Sequence, residues 1–330
     1  MWRWILVTTL ALLAAGPAIA QDCGTSVVGY RVMHVGDRVV AVWYPTTDPS
    51  TQYAYSPRFS GMVAPNASAS MACGRPVPLV IFSHGDLGCG LQSISFTEDL
   101  ARHGYVVAAP DHADAFLCHI VHPQLTPARR PAQPDFFKPD TWHDTKFKDR
   151  RSDIEAVIDG LLSDSEFQRV IDSQNIGASG HSLGGYTVVG MVGGWSSWVD
   201  SRIRAVLALS PYVMPFQVHK TLADIRVPLM YQGGTLDIGI TPFLKGINGA
   251  YRQANPPVFF VELKNAGHFA WTNCGSALTT AACLATKVNA RLINEYGIAF
   301  FDRYLKGKKE PTLTENNSEL SNYLFRLPNR

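Results

Sequence analysis

The 330-residue chain carries almost no excess of charge: 29 Lys and Arg stand against 27 Asp and Glu, a formal +2. So balanced a surface offers no basic face to a phosphate backbone, and nucleic acid is not expected as a partner. There is no low-complexity tract or short-period repeat, which excludes collagen, coiled coil and solenoid architectures. Neither Cys-x-x-Cys nor His-Glu-x-x-His occurs, so the usual dithiol and zinc-hydrolase patterns are missing. Beyond the first twenty residues no apolar run approaches the roughly 20 residues of a membrane span.

What is present begins with a separable leader. Arg3 precedes the apolar run Ile5–Ala15, and Gly16-Pro17 leads into Ala18-Ile19-Ala20. This is the layout of a secretory signal with a small-residue cleavage site. Residues 1–20 are therefore expected to be removed, leaving residues 21–330 as a single catalytic domain, secreted to an extracellular or periplasmic space. An oxidising compartment makes the six cysteines candidates for disulfides. Cys274 with Cys283 is the first pairing expected, with Cys89–Cys118 and Cys23–Cys73 completing the set.

Two β-branched runs, Val27–Met33 and Val39–Tyr44, flank Gly36-Asp37 and predict a hairpin. Residues 46–75, rich in Pro, Ser, Ala and Gly, read as loop. Val77–Phe82 is continuously apolar, as a strand covered on both faces must be. Helical spacing follows through Phe96, Leu100 and His103 to a stop at Gly104, and Tyr105–Ala109 is the next buried strand. Residues 110–150 form a long irregular segment. Ser152-Asp153-Ile154-Glu155 has a capping-box pattern, opening a helix that buries Ile154, Val157, Ile158 and Leu161. Further strands are predicted at Ile203–Leu209, Val227–Tyr231 and Val258–Leu263, and a final helix over Thr286–Leu305. The last twenty residues read as loosely packed apart from Tyr323–Phe325. Alternating strands and helices predict an α/β fold: a mostly parallel central sheet with an antiparallel leading hairpin and helices on both faces. In such a sheet, chemistry collects at the carboxyl ends of the strands.

At one such end lies Gly180-His181-Ser182-Leu183-Gly184, a G-x-S-x-G between a short strand and a helix. That turn pushes a serine hydroxyl out of the sheet, and the glycines clear space on either side. A serine hydroxyl needs a base. His268 follows the last candidate strand directly and has the setting for it, while His84 and His181 read as local fillers of their turns. The base needs an acid to hold its tautomer. Asp237, beyond strand Val227–Tyr231, lies between Ser182 and His268 in chain order. The neighbouring strand ends in Ser210-Pro211-Tyr212 and supplies no carboxylate. Two backbone N–H groups complete the set as an oxyanion hole: Leu183, after the serine, and Asp86, in the Ser83–Gly88 loop. The Asp86 side chain is expected to turn away, toward His112 or His84. Phe116, Trp142, Tyr212, Phe269 and Trp271 are candidates for an aromatic substrate cleft, Phe269 and Trp271 foremost because they follow His268. The competing reading is a metal site built from His112, Cys118, His119 and His122, with His143 further on. The spacing fits no established ligand pattern, and neither metal nor cofactor is expected.

Together Phe82–Gly85 (FSHG), Ala109–His112 (APDH), Gly180–Gly185 (GHSLGG), Gly233–Asp237 (GGTLD) and Ala266–Cys274 (AGHFAWTNC) resemble the α/β-hydrolase superfamily. The nearest likeness is to its predicted dienelactone hydrolases and platelet-activating-factor acetylhydrolase-like esterases, close to secreted polyester hydrolases and cutinase-like enzymes. The resemblance implies a serine esterase with Ser182, Asp237 and His268 as its triad, acting on a small-molecule or polymeric ester. Two residues depart from the pattern. Dienelactone hydrolases use a cysteine where this chain has Ser182, and relatives often carry an apolar or aromatic residue where it has Asp86.

Overall fold

Period-two alternation along nearly every strand sorts the core onto two faces of one sheet. A computed structural model describes residues 24–56, 59–116, 134–273, 280–315 and 317–328, with backbone alone over 280–290. The strands are β1 Val27–Val35, β2 Arg38–Thr46, β3 Thr51–Ser56, β4 Phe59–Pro65, β5 Val77–Ser83, β6 Val106–Pro110, β7 Ile171–His181, β8 Ile203–Leu209, β9 Leu229–Gly234, β10 Val258–Leu263 and β11 Leu320–Arg326. The helices are α1 Ile94–Arg102, α2 Lys148–Ser163, α3 Phe167–Val170, α4 Leu183–Val189, α5 Met214–His219, α6 Thr241–Lys245, α7 Ala250–Gln253 and α8 Thr280–Leu305.

The strands form one sheet in the order β11-β10-β9-β8-β7-β5-β6-β2-β1-β4-β3. From β10 to β6 every neighbouring pair is parallel. The predicted hairpin is β1–β2, and it joins the parallel block through an antiparallel β2–β6 pair. Every residue of β5 is buried, as its unbroken apolar sequence requires. Leu79 and Ile81 of β5, with Val206 and Ala208 of β8, face α2, α4 and α5. Val80 and Phe82, with Ala205 and Leu207, face α1 and α8. Side chains alternate across a strand, so each strand feeds both layers.

Three expectations about local structure change. Residues 46–75 are not all loop: β3 and β4 pair antiparallel, and β4 extends the sheet beside β1. Polar and small residues suffice there because the ribbon is largely exposed on one side. The chain end is more ordered than expected: β11 runs beyond Tyr323–Phe325 to cover Leu320–Arg326 and pairs antiparallel with β10 as an edge strand. Helix α2 begins four residues before the capping box, after Phe147 in a left-handed conformation. Asp153 thus lies inside the helix, where its carboxylate bonds Arg38 and His112 instead of the helix amides.

Among the described residues no helix is long and apolar enough to cross a membrane. The expected leader lies outside the described residues. Cys73 and Cys89 are each disulfide-bonded. Cys23, Cys118, Cys274 and the side chain of Cys283 lie outside the described residues, and with them the predicted pairings.

Candidate active site

Ser182 sits between the end of β7 and the first residue of α4, at φ +55° and ψ −115°. A residue with a Cβ is strained in that region, and persists there only where surroundings over-determine it. Here they do. The Ser182 N–H donates to the Leu209 carbonyl at 3.0 Å, and its own carbonyl accepts from Tyr186 N–H at 3.1 Å and Tyr212 N–H at 3.0 Å. The flanking glycines are required by contact. A Cβ on Gly180 would strike the backbone of Gly184, and one on Gly184 would land on the Ser83 carbonyl.

Three adjacent strand ends then converge on this hydroxyl. His268, in the loop after β10, places Nε2 3.0 Å from Ser182 Oγ. Its Nδ1 lies 3.3 Å from Asp237 Oδ2, in the loop after β9. Asp237 is buried, and its carboxylate turns to this group rather than capping the helix that follows, whose N-cap is Ile240. The strand end read as supplying nothing supplies a third partner. The Ser210 hydroxyl, at the end of β8, donates to Asp237 Oδ2 and stands 2.9 Å from His268 Nδ1. A hydroxyl that gives its proton to the carboxylate must accept at Nδ1. Nδ1 of His268 therefore carries the hydrogen, and Nε2 presents a lone pair to Ser182. The arrangement can take the serine proton and spread the resulting charge over Ser210 and Asp237. Sequence reading missed Ser210 because it searched that position for a carboxylate.

His181, the residue inside the elbow, does more than fill it. Its Nε2 bonds the His268 carbonyl at 2.7 Å, and its Nδ1 meets Gln92 Nε2 at 3.1 Å. Burial, and the positive charge His268 can carry, push His181 down to about 3, so it stays neutral. The loop after His268 is also tied down. The Ser93 hydroxyl donates to the Trp271 carbonyl at 2.6 Å, Asn273 N–H to the Gln92 carbonyl at 2.7 Å, and Ile94 N–H to Asn273 Oδ1 at 2.6 Å.

Leu183 N–H belongs to the first turn of α4 and has no acceptor within the helix, so it is placed to serve an anion. The Asp86 loop follows β5, and Gly85 lies against the serine: a Cβ there would stand 3.4 Å from Ser182 Cβ. The rings of His84 and His112, toward which the Asp86 carboxylate is expected to turn, each have partners of their own. His84 Nδ1 meets the Gly85 carbonyl at 2.7 Å, and His84 Nε2 accepts from His112 N–H at 3.0 Å. His112 bonds Ser83 Oγ and Asp153 Oδ2, both at 2.9 Å. Burial, then the nearby Arg150, lowers both histidines and keeps them neutral.

The aromatic candidates divide. Trp142 and Tyr212 are buried and pack on each other, with Tyr186 against Trp142, and Trp271 is buried with its indole N–H on Gln232 Oε1. Phe269 is 52% exposed and stands edge-on to the His268 ring. Phe116 is half-buried, its N–H directed at the Leu87 carbonyl beside the Asp86 loop. Of the metal-site candidates, His112 is held as above and His143 packs on His219, while Cys118, His119 and His122 lie outside the described residues. Among the described residues no group of three or more His, Cys, Asp or Glu is placed to hold a metal ion.

Comparison with known proteins follows the same lines. The family model described as platelet-activating factor acetylhydrolase, isoform II, matches residues 57–140, which include the Asp86 loop. Lipase 1 of Moraxella sp. (strain TA144) is 26% identical over 156 residues, 47% of this chain and 41% of that protein. Platelet-activating factor acetylhydrolase of Cavia porcellus is 25% identical over 272 residues, 72% of this chain and 60% of that protein. The chain thus spans less than two thirds of either relative's length. Among solved structures, a ferulic acid esterase from Streptomyces cinnamoneus superposes with a TM-score of 0.61 at 20% identity, covering 94% of this chain and 98% of that one. Sheet order, serine elbow and superposition make this an α/β-hydrolase fold, and the relatives it resembles lie in the esterase and lipase branch of that superfamily.

Proposed function

We propose that the protein is an exported serine hydrolase that cleaves carboxylic esters through an acyl-enzyme. The observation that carries this reading is the unbroken line from Ser182 Oγ to His268 Nε2 at 3.0 Å, with Ser210 and Asp237 behind Nδ1. His268 removes the Ser182 proton as the oxygen attacks the ester carbonyl. The N–H groups of Leu183 and Asp86 receive the oxyanion. His268 then protonates the departing alcohol, water repeats the attack on the acyl-enzyme, and the free acid leaves. Neither metal nor cofactor enters any step.

The proteins it resembles are a lipase, a platelet-activating factor acetylhydrolase and a ferulic acid esterase, which supports an ester as the substrate. An exposed aromatic beside the base, Phe269, suits an acyl or aryl group lying across an open mouth. Polyester, as in cutinase-like enzymes, belongs to the same chemistry. The test is labelling with a fluorophosphonate alongside a panel of nitrophenyl esters of rising chain length, feruloyl esters and a polyester film. The wild type should label once and turn over, and Ser182→Ala should do neither. An unlabelled, inactive wild type would sink the reading. Export is tested separately, by mass spectrometry of the secreted protein for an N-terminus at Gln21.

A further inference from the structure

The loop that carries Asp86 is gripped from beneath by a buried cation. Arg150, on α2, is fully buried. Its Nη1 donates to the His84 carbonyl at 2.6 Å and its Nη2 to the Gly85 carbonyl at 3.1 Å. The same guanidinium is held by Asp114, through Nε–Oδ1 at 3.1 Å and Nη2–Oδ2 at 2.6 Å. A buried arginine left without a carboxylate would be costly, and one with a bidentate carboxylate is fixed in orientation. The Gly85 carbonyl takes two further donors: the Gly88 N–H at 3.0 Å, and His84 Nδ1, which must carry the hydrogen because Nε2 accepts from His112 N–H. On the other side, Gly85 N–H donates to Gln92 Oε1 at 2.8 Å. Both peptide planes around Gly85 are therefore pinned.

The consequence follows from peptide geometry. The Gly85–Asp86 bond is trans, and in a trans peptide C=O and N–H point opposite ways. With its carbonyl drawn down to Arg150, this peptide directs the Asp86 N–H away from Arg150. We propose that Arg150 is the positioning residue of the oxyanion hole: its fork, locked by Asp114, sets the Gly85–Asp86 peptide so that the Asp86 N–H faces the substrate carbonyl. This rests on Ser182 being the nucleophile. Arg150 touches no substrate and acts through the backbone alone.

Two variants test it. Arg150→Lys keeps a cation for Asp114 but cannot serve two carbonyls and a carboxylate together. Arg150→Met with Asp114→Leu removes the buried pair as a unit. Removing one oxyanion donor slows catalysis by about 100-fold to 1,000-fold, so kcat on a nitrophenyl ester should fall by at least about 100-fold, with KM within about threefold. Affinity for a boronic acid, which becomes a tetrahedral adduct on Ser182, should fall by the same factor. Inhibition by the product acid should not move, and slow fluorophosphonate labelling should still reach completion. Folded variants with kcat within about threefold of wild type overturn the proposal. So does a loss of kcat with unchanged boronate affinity, and so does failure of both variants to fold, which would make the clamp a folding device. A wild type that neither labels nor turns over would instead refute Ser182 as nucleophile.

Discussion

Replacing Ser210 by Ala removes a hydroxyl that donates to Asp237 and accepts from His268, and nothing else in the site need move. Its oxygen is nearer to His268 Nδ1, at 2.9 Å, than the carboxylate is, at 3.3 Å. Hydrogen bonds to charged partners contribute about 1.5–3 kcal/mol. His268 becomes charged in the transition state, so the loss falls mainly on kcat. At about 1.4 kcal/mol per tenfold, Ser210→Ala should lower kcat by roughly tenfold to 150-fold. The direct Asp237–His268 contact survives and caps the effect. Asp237→Asn should cost far more, on the order of 10,000-fold, because an amide can hold the wrong tautomer. The two substitutions together should cost less than their product, since both act on one imidazole. The assay is steady-state hydrolysis of a nitrophenyl ester, with the second-order rate of fluorophosphonate labelling as a check on serine activation. A Ser210→Ala enzyme within twofold of wild type would make the hydroxyl a bystander. A loss equal to that of Asp237→Asn would transfer the orienting role from the carboxylate to Ser210.

Three further outcomes are expected. Gly184→Ala places a methyl on the Ser83 carbonyl, so the protein should lose several degrees of melting temperature and nearly all activity; a variant that melts and turns over as wild type would refute the elbow packing. His181, at about 3 in the fold against an ordinary 6.5, binds its proton only when the chain unfolds, so its contribution to stability is complete above pH 6.5 and drains away as pH falls toward 3. Between pH 6.5 and 5 that is about 1.6 kcal/mol, and His181→Gln should show a shallower fall by this amount in urea denaturation; parallel curves would contradict it. Phe269→Ala should raise KM for long-chain or aryl esters several-fold while leaving acetyl esters nearly unchanged, and an equal effect on both would remove Phe269 from the acyl-binding surface.

The elbow could be read from sequence because its demands are local. Gly180, Ser182 and Gly184 lie within five positions, and steric need writes itself directly into residue type. His268 and Asp237 were legible for a related reason, each following an apolar run that had to be a strand. Ser210 was not, because an uncharged hydroxyl at a strand end has no signature until the neighbouring loops are in place. Arg150 was hidden further. Its partners His84, Gly85 and Asp114 are brought to it by the sheet and helix packing, and an arginine in a helix reads as a solvent-facing residue. Tyr212 and Trp142 misled in the opposite sense: they border the strand ends in sequence, yet their rings fill space beneath the surface. The edge strands β3 and β11 escaped because exposed strands need little hydrophobic patterning.

The stitching of the His268–Asn273 loop to Gln92, Ser93 and Ile94 joins segments 178 residues apart in the chain into one bank of the catalytic mouth. A bank so seamed cannot yield to a bulkier guest without unpicking the base itself.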